Sequence, residues 1–193
     1  MTAAPPRTRR DVLSLATTAT VACGAACACV PFALSLSPRG DAPDSAPVDV
    51  DLSKIAPGAQ ITASWRSLPI TIIHRTAQTI SALKTPDQPL RDPDSHVHQQ
   101  PDYARNWHRS LRPEFGVYVA VCTHLGCIPA LDDDGYTCPC HGSGFDLAGR
   151  VLVNQPAPYN LPVPPHDFAS ATTLRLGINP DGHTFDLSGI VQL

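Results

Sequence analysis

Clustered positive charge is missing from this sequence. Its 14 lysines and arginines are outnumbered by 17 aspartates and glutamates, giving a formal net charge of −3, and the cations are scattered. Nucleic-acid binding draws on basic stripes that neutralise phosphates, so a nucleic-acid partner is not expected. Aromatic residues are scarce as well, with four tyrosines and two tryptophans against 21 prolines. So many prolines interrupt long helices and favour turns between short strands, which suits a small, mainly β domain better than a helical bundle. No Cys-x-x-Cys-His occurs, so the chain attaches no c-type haem of its own. No internal repeat is visible. A chain of 193 residues is long enough for one modest domain with a real core and an appendage.

Charge is also missing locally. From Val12 to Ser37 no side chain is ionisable as an acid or base of the Asp, Glu, Lys or Arg type, and at ~1.5 Å per residue such a helix crosses a ~30 Å hydrocarbon layer. It follows TRRDVLSL, in which Arg9 and Arg10 stand side by side. Paired arginines before a weakly apolar, Ala- and Thr-rich run mark twin-arginine export, and they also satisfy the positive-inside rule. Ala26-Cys27-Ala28 offers a small-residue cleavage site, but it falls two-thirds of the way along the run. A retained anchor is therefore expected. Cys23, Cys27 and Cys29 read as small residues for helix packing, with Ala19 and Gly24.

The expected organisation is a cytoplasmic N-terminus at residues 1–11, a transmembrane anchor at 12–37, a Pro-rich hinge linker at 38–47 that cannot bury enough surface to order itself, and a head domain at 48–193. The head would face the periplasm. Strand patterns predict VDVDL from Val48, a hairpin of ITASW and LPITII turning near residues 66–68, FGVYVAV from Phe115, and a closing hairpin of residues 172–178 with 184–187 around NPDG. Residues 77–84 read as a short helix.

Four of the seven cysteines and two of the eight histidines lie close together, in CTHLGC from Cys122 and CPCHGS from Cys138. Read as an extended segment, Cys122 and His124 would point to one side, and Cys138 with His141 would form the matching pair. Gly126 and Gly142 would let backbone come close to the centre. Structural zinc is the common fate of four such ligands. Here each arm mixes Cys with His, which suits a two-iron cluster with two thiolates on one iron and two imidazoles on the other. Cys127 and Cys140 remain, in a compartment that permits disulfides.

These boxes resemble those of Rieske iron-sulfur proteins, in the quinol-cytochrome c reductase branch that has an extra cysteine pair. WRSLPITIIHRT from Trp65, LRDP from Leu90, PAPYNLPVPP from Pro156 and the anchor with its linker are similar to the bacterial form, so the resemblance covers nearly the whole chain. It implies a Rieske-type antiparallel β-sandwich with a small cluster-binding subdomain at about 116–158, preceded by one transmembrane helix. It further implies a [2Fe-2S] cluster with Cys122 and Cys138 on the inner iron and His124 and His141 on the outer iron, a Cys127–Cys140 disulfide, and surroundings that include Leu125, Gly126, Ser143, Phe145 and Pro156. The implied activity is quinol oxidation beside cytochrome b, with His124 or His141 accepting a proton and the electron passing to a c-type cytochrome. The implied setting is a dimeric complex in the cytoplasmic (inner) membrane.

Two departures stand out. Phe145 occupies a place where many relatives have Tyr, whose hydroxyl bonds a ligand sulfur, so a lower potential is expected; Gln155 replaces a Gly of the proline loop. Ser143 is expected to donate to a bridging sulfide. His96 and His98 read as solvated loop residues, Trp65 and Trp107 as packing, Tyr136 as packing beside the arms, and residues 132–134 as a turn. The rival readings are a Rieske subunit of another exported oxidoreductase, of the arsenite-oxidase kind, and a tethered zinc module.

Overall fold

The computed structural model describes residues 8–35 and 46–192. They belong to two units, Met1–Ala42 and Pro43–Leu193.

The described residues of the first unit form one helix, α1 (Arg9–Ser35). Thr8 starts it: its hydroxyl accepts the Asp11 N–H at 3.3 Å while the Asp11 carboxylate accepts the Thr8 N–H at 2.9 Å, a reciprocal cap on otherwise orphaned donors. Thr17, Thr18 and Thr20 donate their hydroxyls to carbonyls four residues back, so this polar content makes no demand on the surroundings. With 27 residues the helix is about 40 Å long at ~1.5 Å per residue. Among the described residues it is the helix long and apolar enough to cross a membrane. It begins three residues before the expected anchor. The expected linker at 38–47 lies outside the described residues except for its last two positions, as do residues 1–7 of the expected N-terminus.

The second unit is built from three antiparallel three-stranded sheets. Strands β2 (Gln60–Trp65), β3 (Leu68–His74) and β4 (Phe115–Val119) form a meander. The β2–β3 turn places Arg66 and Ser67 at φ of 51° and 58°, the backbone of a two-residue hairpin with matching twist. The Arg66 guanidinium lies over the Trp65 ring at 4.6 Å and pairs with Asp186 at 2.8 Å, contacts that offset the cost of left-handed backbone in residues other than glycine. A second sheet has the order β1 (Val48–Asp51), β9 (Thr173–Leu176), β8 (His166–Phe168). The third joins β5 (Ala130–Leu131), β6 (Gly135–Thr137) and β7 (Gly144–Asp146). A short helix, α2 (Ala77–Lys84), is capped by the Thr76 hydroxyl.

Alternation along the meander explains its central position. Ile70, Ile72, Val117 and Val119 face the β1–β9 sheet and pack with Trp65, Leu174 and Leu176. Ile73 and Tyr118 face the other way, into a second buried cluster with Cys122, Tyr136, Cys138 and Phe145. Residues a strand alternates between two faces thus link two cores, which is why FGVYV is apolar on both sides. The second core carries the site.

One expected element is corrected. Residues 184–187 do not pair with 173–176, because both edges of β9 are already taken, by β1 and by β8. Instead Phe185 and Leu187 pack into the first core, and Asp186 caps a turn of 3-10 helix, Leu187–Gly189, by accepting the Ser188 N–H at 2.8 Å.

Candidate metal centre

The two Cys-His arms are the same turn built twice. In the first, the Cys122 N–H donates to the Cys127 carbonyl at 2.8 Å and the Gly126 N–H to the Cys122 carbonyl at 2.9 Å. In the second, the Cys138 N–H donates to the Ser143 carbonyl at 2.8 Å and the Gly142 N–H to the Cys138 carbonyl at 3.0 Å. Each turn closes through a glycine in the left-handed region, φ +82° at Gly126 and +75° at Gly142, where a Cβ would be strained. The extended conformation expected for Cys122–His124 is thereby corrected. These residues sit in a hydrogen-bonded turn, and it is the turn, not strand alternation, that brings sulfur and imidazole to one side.

The turns put the cysteines inside and the histidines outside. Cys122 and Cys138 are 1% and 2% exposed. The His124 and His141 rings meet edge to face with centroids 4.8 Å apart, His124 half-buried and His141 exposed. Cys127 and Cys140 form a disulfide joining the arms. Their sulfurs lie within 4.8 Å of the Cys138 sulfur, but oxidised sulfurs offer no thiolate. The donor set that can hold a metal is therefore Cys122, Cys138, His124 and His141.

The chemistry of this set fits a cationic iron group. Burial pushes the Cys122 thiol up, and the neighbouring Cys138 thiol acts in the same direction, against the His124 backbone N–H and the Ser143 hydroxyl. A thiolate there needs a positive partner. The Nδ1 of His124 is buried and has no hydrogen-bond partner among the described residues, an expensive condition for an imidazole unless that atom binds a metal.

Packing around the arms uses residues the motifs did not single out. Thr123, fully buried, donates its hydroxyl to the Tyr159 carbonyl at 2.6 Å, and the Gln192 amide donates to the His124 carbonyl at 3.4 Å. Ser143, also fully buried, accepts the Ala157 N–H at 3.0 Å, so its own proton is free to point at the Cys122 sulfur. Backbone donors such as Ala157 leave no mark in a sequence. Pro156 is exposed beside Ala157. Gln155 accepts the Gly144 N–H through its side chain at 3.3 Å, and its carbonyl accepts from Arg91 at 3.1 Å, so this residue ties the proline loop to β7. Phe145 and Tyr136 are buried cross-strand partners. Leu125 and Ile128 stand 70% and 60% exposed.

Comparison with known proteins agrees with this geometry. Residues 99–165 match the Rieske [2Fe-2S] domain, and residues 2–39 match the Ubiquitinol-cytochrome C reductase Fe-S subunit TAT signal. The chain is 45% identical over 182 residues to the ubiquinol-cytochrome c reductase iron-sulfur subunit of Allochromatium vinosum, covering 88% of each. It is 43% identical over 175 residues to that of Bradyrhizobium diazoefficiens, covering 88% of this chain and 94% of the relative. The chain belongs to the ubiquinol-cytochrome c reductase iron-sulfur subunit family. A solved chain of a hyperthermophilic respiratory Complex III aligns at 25% identity and a TM-score of 0.48, covering 83% of this chain and 98% of the other. Family membership identifies the group as a Rieske [2Fe-2S] cluster and sets aside both the zinc module and the arsenite-oxidase-like subunit. The export-signal match spans α1, and the two together fit a single-pass membrane anchor.

Proposed function

We propose that this chain is the electron-transferring head of a membrane-bound quinol-cytochrome c reductase, working between a cytochrome b subunit and a c-type cytochrome on the periplasmic side. One observation carries the reading: two like-built turns bury a pair of thiols against each other and present a pair of imidazoles, 4.8 Å apart, at the outer end. Cys122 and Cys138 would hold one iron of the cluster, and His124 and His141 the other. When bound, the cluster takes up one electron at a potential that its two imidazoles raise into the range ~−150 to +300 mV.

The residues then divide the work. His124 turns Nδ1 inward, which leaves Nε2 as the outward atom. The exposed His141 offers its remaining ring nitrogen to a quinol hydroxyl, accepting the hydrogen bond and then the proton. Leu125 and Ile128, apolar and exposed, exclude water around the rings against cytochrome b. The disulfide fixes one arm relative to the other. Ser143 donates toward sulfur and favours the reduced, more negative group. The residues 1–11 remain cytoplasmic, α1 spans the membrane, and residues 38–47 tether a head that visits two partners within a dimeric complex.

Low-temperature EPR of dithionite-reduced membranes, with iron and sulfide assayed on the purified subunit, tests this. A rhombic two-iron signal of the His-ligated type that responds to quinone-site inhibitors is the expected result. A silent spectrum with one zinc per chain would overturn it.

A further inference from the structure

Three arginines lie inside the head: Arg75, Arg109 and Arg150 are 2%, 0% and 2% exposed. Arg150 has an ion-pair partner, Asp146, at 2.7 Å. Arg75 and Arg109 have none. Among the described residues no carboxylate comes within ion-pair distance of either. Arg75 is held by neutral groups instead, donating to the carbonyls of Leu147, Pro113 and His108 at 3.2, 2.9 and 2.8 Å, to the Ser110 hydroxyl at 3.2 Å, and to the Tyr118 hydroxyl. Arg109 donates to the Ala148 and Gly149 carbonyls at 3.3 and 3.2 Å and to the Gln100 side chain at 2.8 Å, while its Nε finds no hydrogen-bond partner among the described residues.

Two bare cations in the interior are costly, so their surroundings matter. The acids acting on Arg109 are Asp146, already engaged by Arg150, and the half-buried Asp92, whose carboxylate accepts the His96 and Val97 N–H groups at 2.8 and 3.0 Å; on the Arg75 side the exposed Glu114 acts on the neighbouring His108. Burial and Arg75 hold His108 down to about 4, so it adds no charge at neutral pH. Burial pushes Tyr118 and Tyr136 up, so they add none either. Arg109 itself is lowered only to about 10 and stays a cation.

The position of this charge is specific. The Tyr118 hydroxyl that binds Arg75 belongs to a ring 6.2 Å from that of Tyr136, and both tyrosines pack in one buried cluster with Cys122 and Cys138. The carbonyls both arginines hold, at residues 147–149, directly follow Phe145 and Asp146. We propose that Arg75 and Arg109 act as fixed positive charges that raise the reduction potential of the group held by the Cys-His arms. They are positioning and tuning residues, not ligands. This rests on the reading of the arms as a [2Fe-2S] site. Reduction adds one negative charge to the group, and a buried cation favours that charge more strongly than a solvated one does, because little water intervenes to screen it.

Redox titration of the full chain in membranes, followed by the EPR amplitude of the reduced cluster, tests the inference in four variants. Arg109→Met and Arg75→Met remove charge and retain bulk; Arg109→Lys retains charge but breaks the fork of hydrogen bonds. The expected result is a lower potential in both Met variants and a potential near the parent's in the Lys variant. If the arginines only hold loop carbonyls, Lys will shift the potential as far as Met does, or no variant will shift it, and either outcome overturns the inference. Asp146→Asn removes an anion from the same neighbourhood and should raise the potential; an unchanged or lower value overturns the inference even if a Met variant fails to load its cluster. The parent must show the His-ligated signal first. Its absence defeats the functional reading itself, whereas a normal signal without shifts defeats only the charge argument.

Discussion

The two arms share a backbone and differ in what they hang on it. Counted from the first cysteine of each, the glycine that closes the turn is the fourth residue on in both, Gly126 and Gly142, and the carbonyl that accepts the cysteine N–H is the fifth, Cys127 and Ser143. The side chains are shifted against this frame. Where the first arm has His124 the second has disulfide-bonded Cys140, where the first has Leu125 the second has His141, and where the first has Cys127 the second has Ser143. One place later on the same turn makes the second imidazole the exposed one. The first arm is held down by Thr123 and Gln192, the second by β6, β7 and the Ser143 contact with Ala157. Likeness between the arms thus gives two sulfurs a common interior position, and the one-residue offset gives the two histidines unequal exposure to solvent.

Removing the shared part has the largest effect. Cys122→Ser or Cys138→Ser is expected to abolish the EPR signal and iron content alike, and equally in either arm; iron retained in one of them would show that the arms do not contribute equally. Breaking the bond between the arms comes next. Cys127→Ser with Cys140→Ser opens a crosslink between positions 13 apart, and such a crosslink contributes about 3 kcal/mol. The cluster should still load, since both sulfurs are tied up in the disulfide and neither is among the proposed ligands, but should be lost at a lower temperature in a thermal melt followed at the cluster's visible absorption. An unchanged melt would mean that the backbone hydrogen bonds alone hold the arms together. Smaller still are Gly126→Ala and Gly142→Ala. A Cβ at either site meets nothing within 4 Å, so the cost is backbone strain alone, about 1–2 kcal/mol. Equal losses of stability in the two variants would support equivalence of the turns, and a clear inequality would break it.

The arms were legible in sequence because cysteine and histidine are chemically distinctive, and their mixed pattern, with the family resemblance, pointed to the [2Fe-2S] cluster that family membership supports. The reason they converge was not legible. CTHLGC reads equally as strand or turn until Gly126 is seen at φ +82°. The closing hairpin was misjudged for a related reason: NPDG is a sound turn signal, but only the tertiary pairing of β9 with β1 and β8, strands distant from it or next to it in sequence, reveals that its edges are occupied. Alternation did find the meander, since Ile70, Ile72, Val117 and Val119 obey it. Supporting residues left little trace. Ala157 acts through its backbone, and a buried arginine such as Arg109 looks in sequence like any arginine at the surface.

The smallest expected effect lies in the second arm alone, and it would sharpen the contrast with the first. Ser143→Ala removes a hydroxyl that lies toward the Cys122 sulfur and should lower the potential, measured by voltammetry, by about the worth of one hydrogen bond, ~0.5–1.5 kcal/mol. Phe145→Tyr should act in the opposite sense. Phe145 is 2% exposed and packs in the same buried cluster as Cys122 and Cys138, so a hydroxyl added there must find an acceptor or remain unpaired at a cost of about 1–3 kcal/mol. If a ligand sulfur accepts it, the potential rises and stability is kept. If none does, the melt falls while the potential stays where it was or drops, and Phe145 is then a packing residue whose missing hydroxyl does not set this protein's potential. Only the first outcome would give the second arm two donors toward sulfur where the first arm has none from a side chain, and make the offset between the arms electronic as well as spatial.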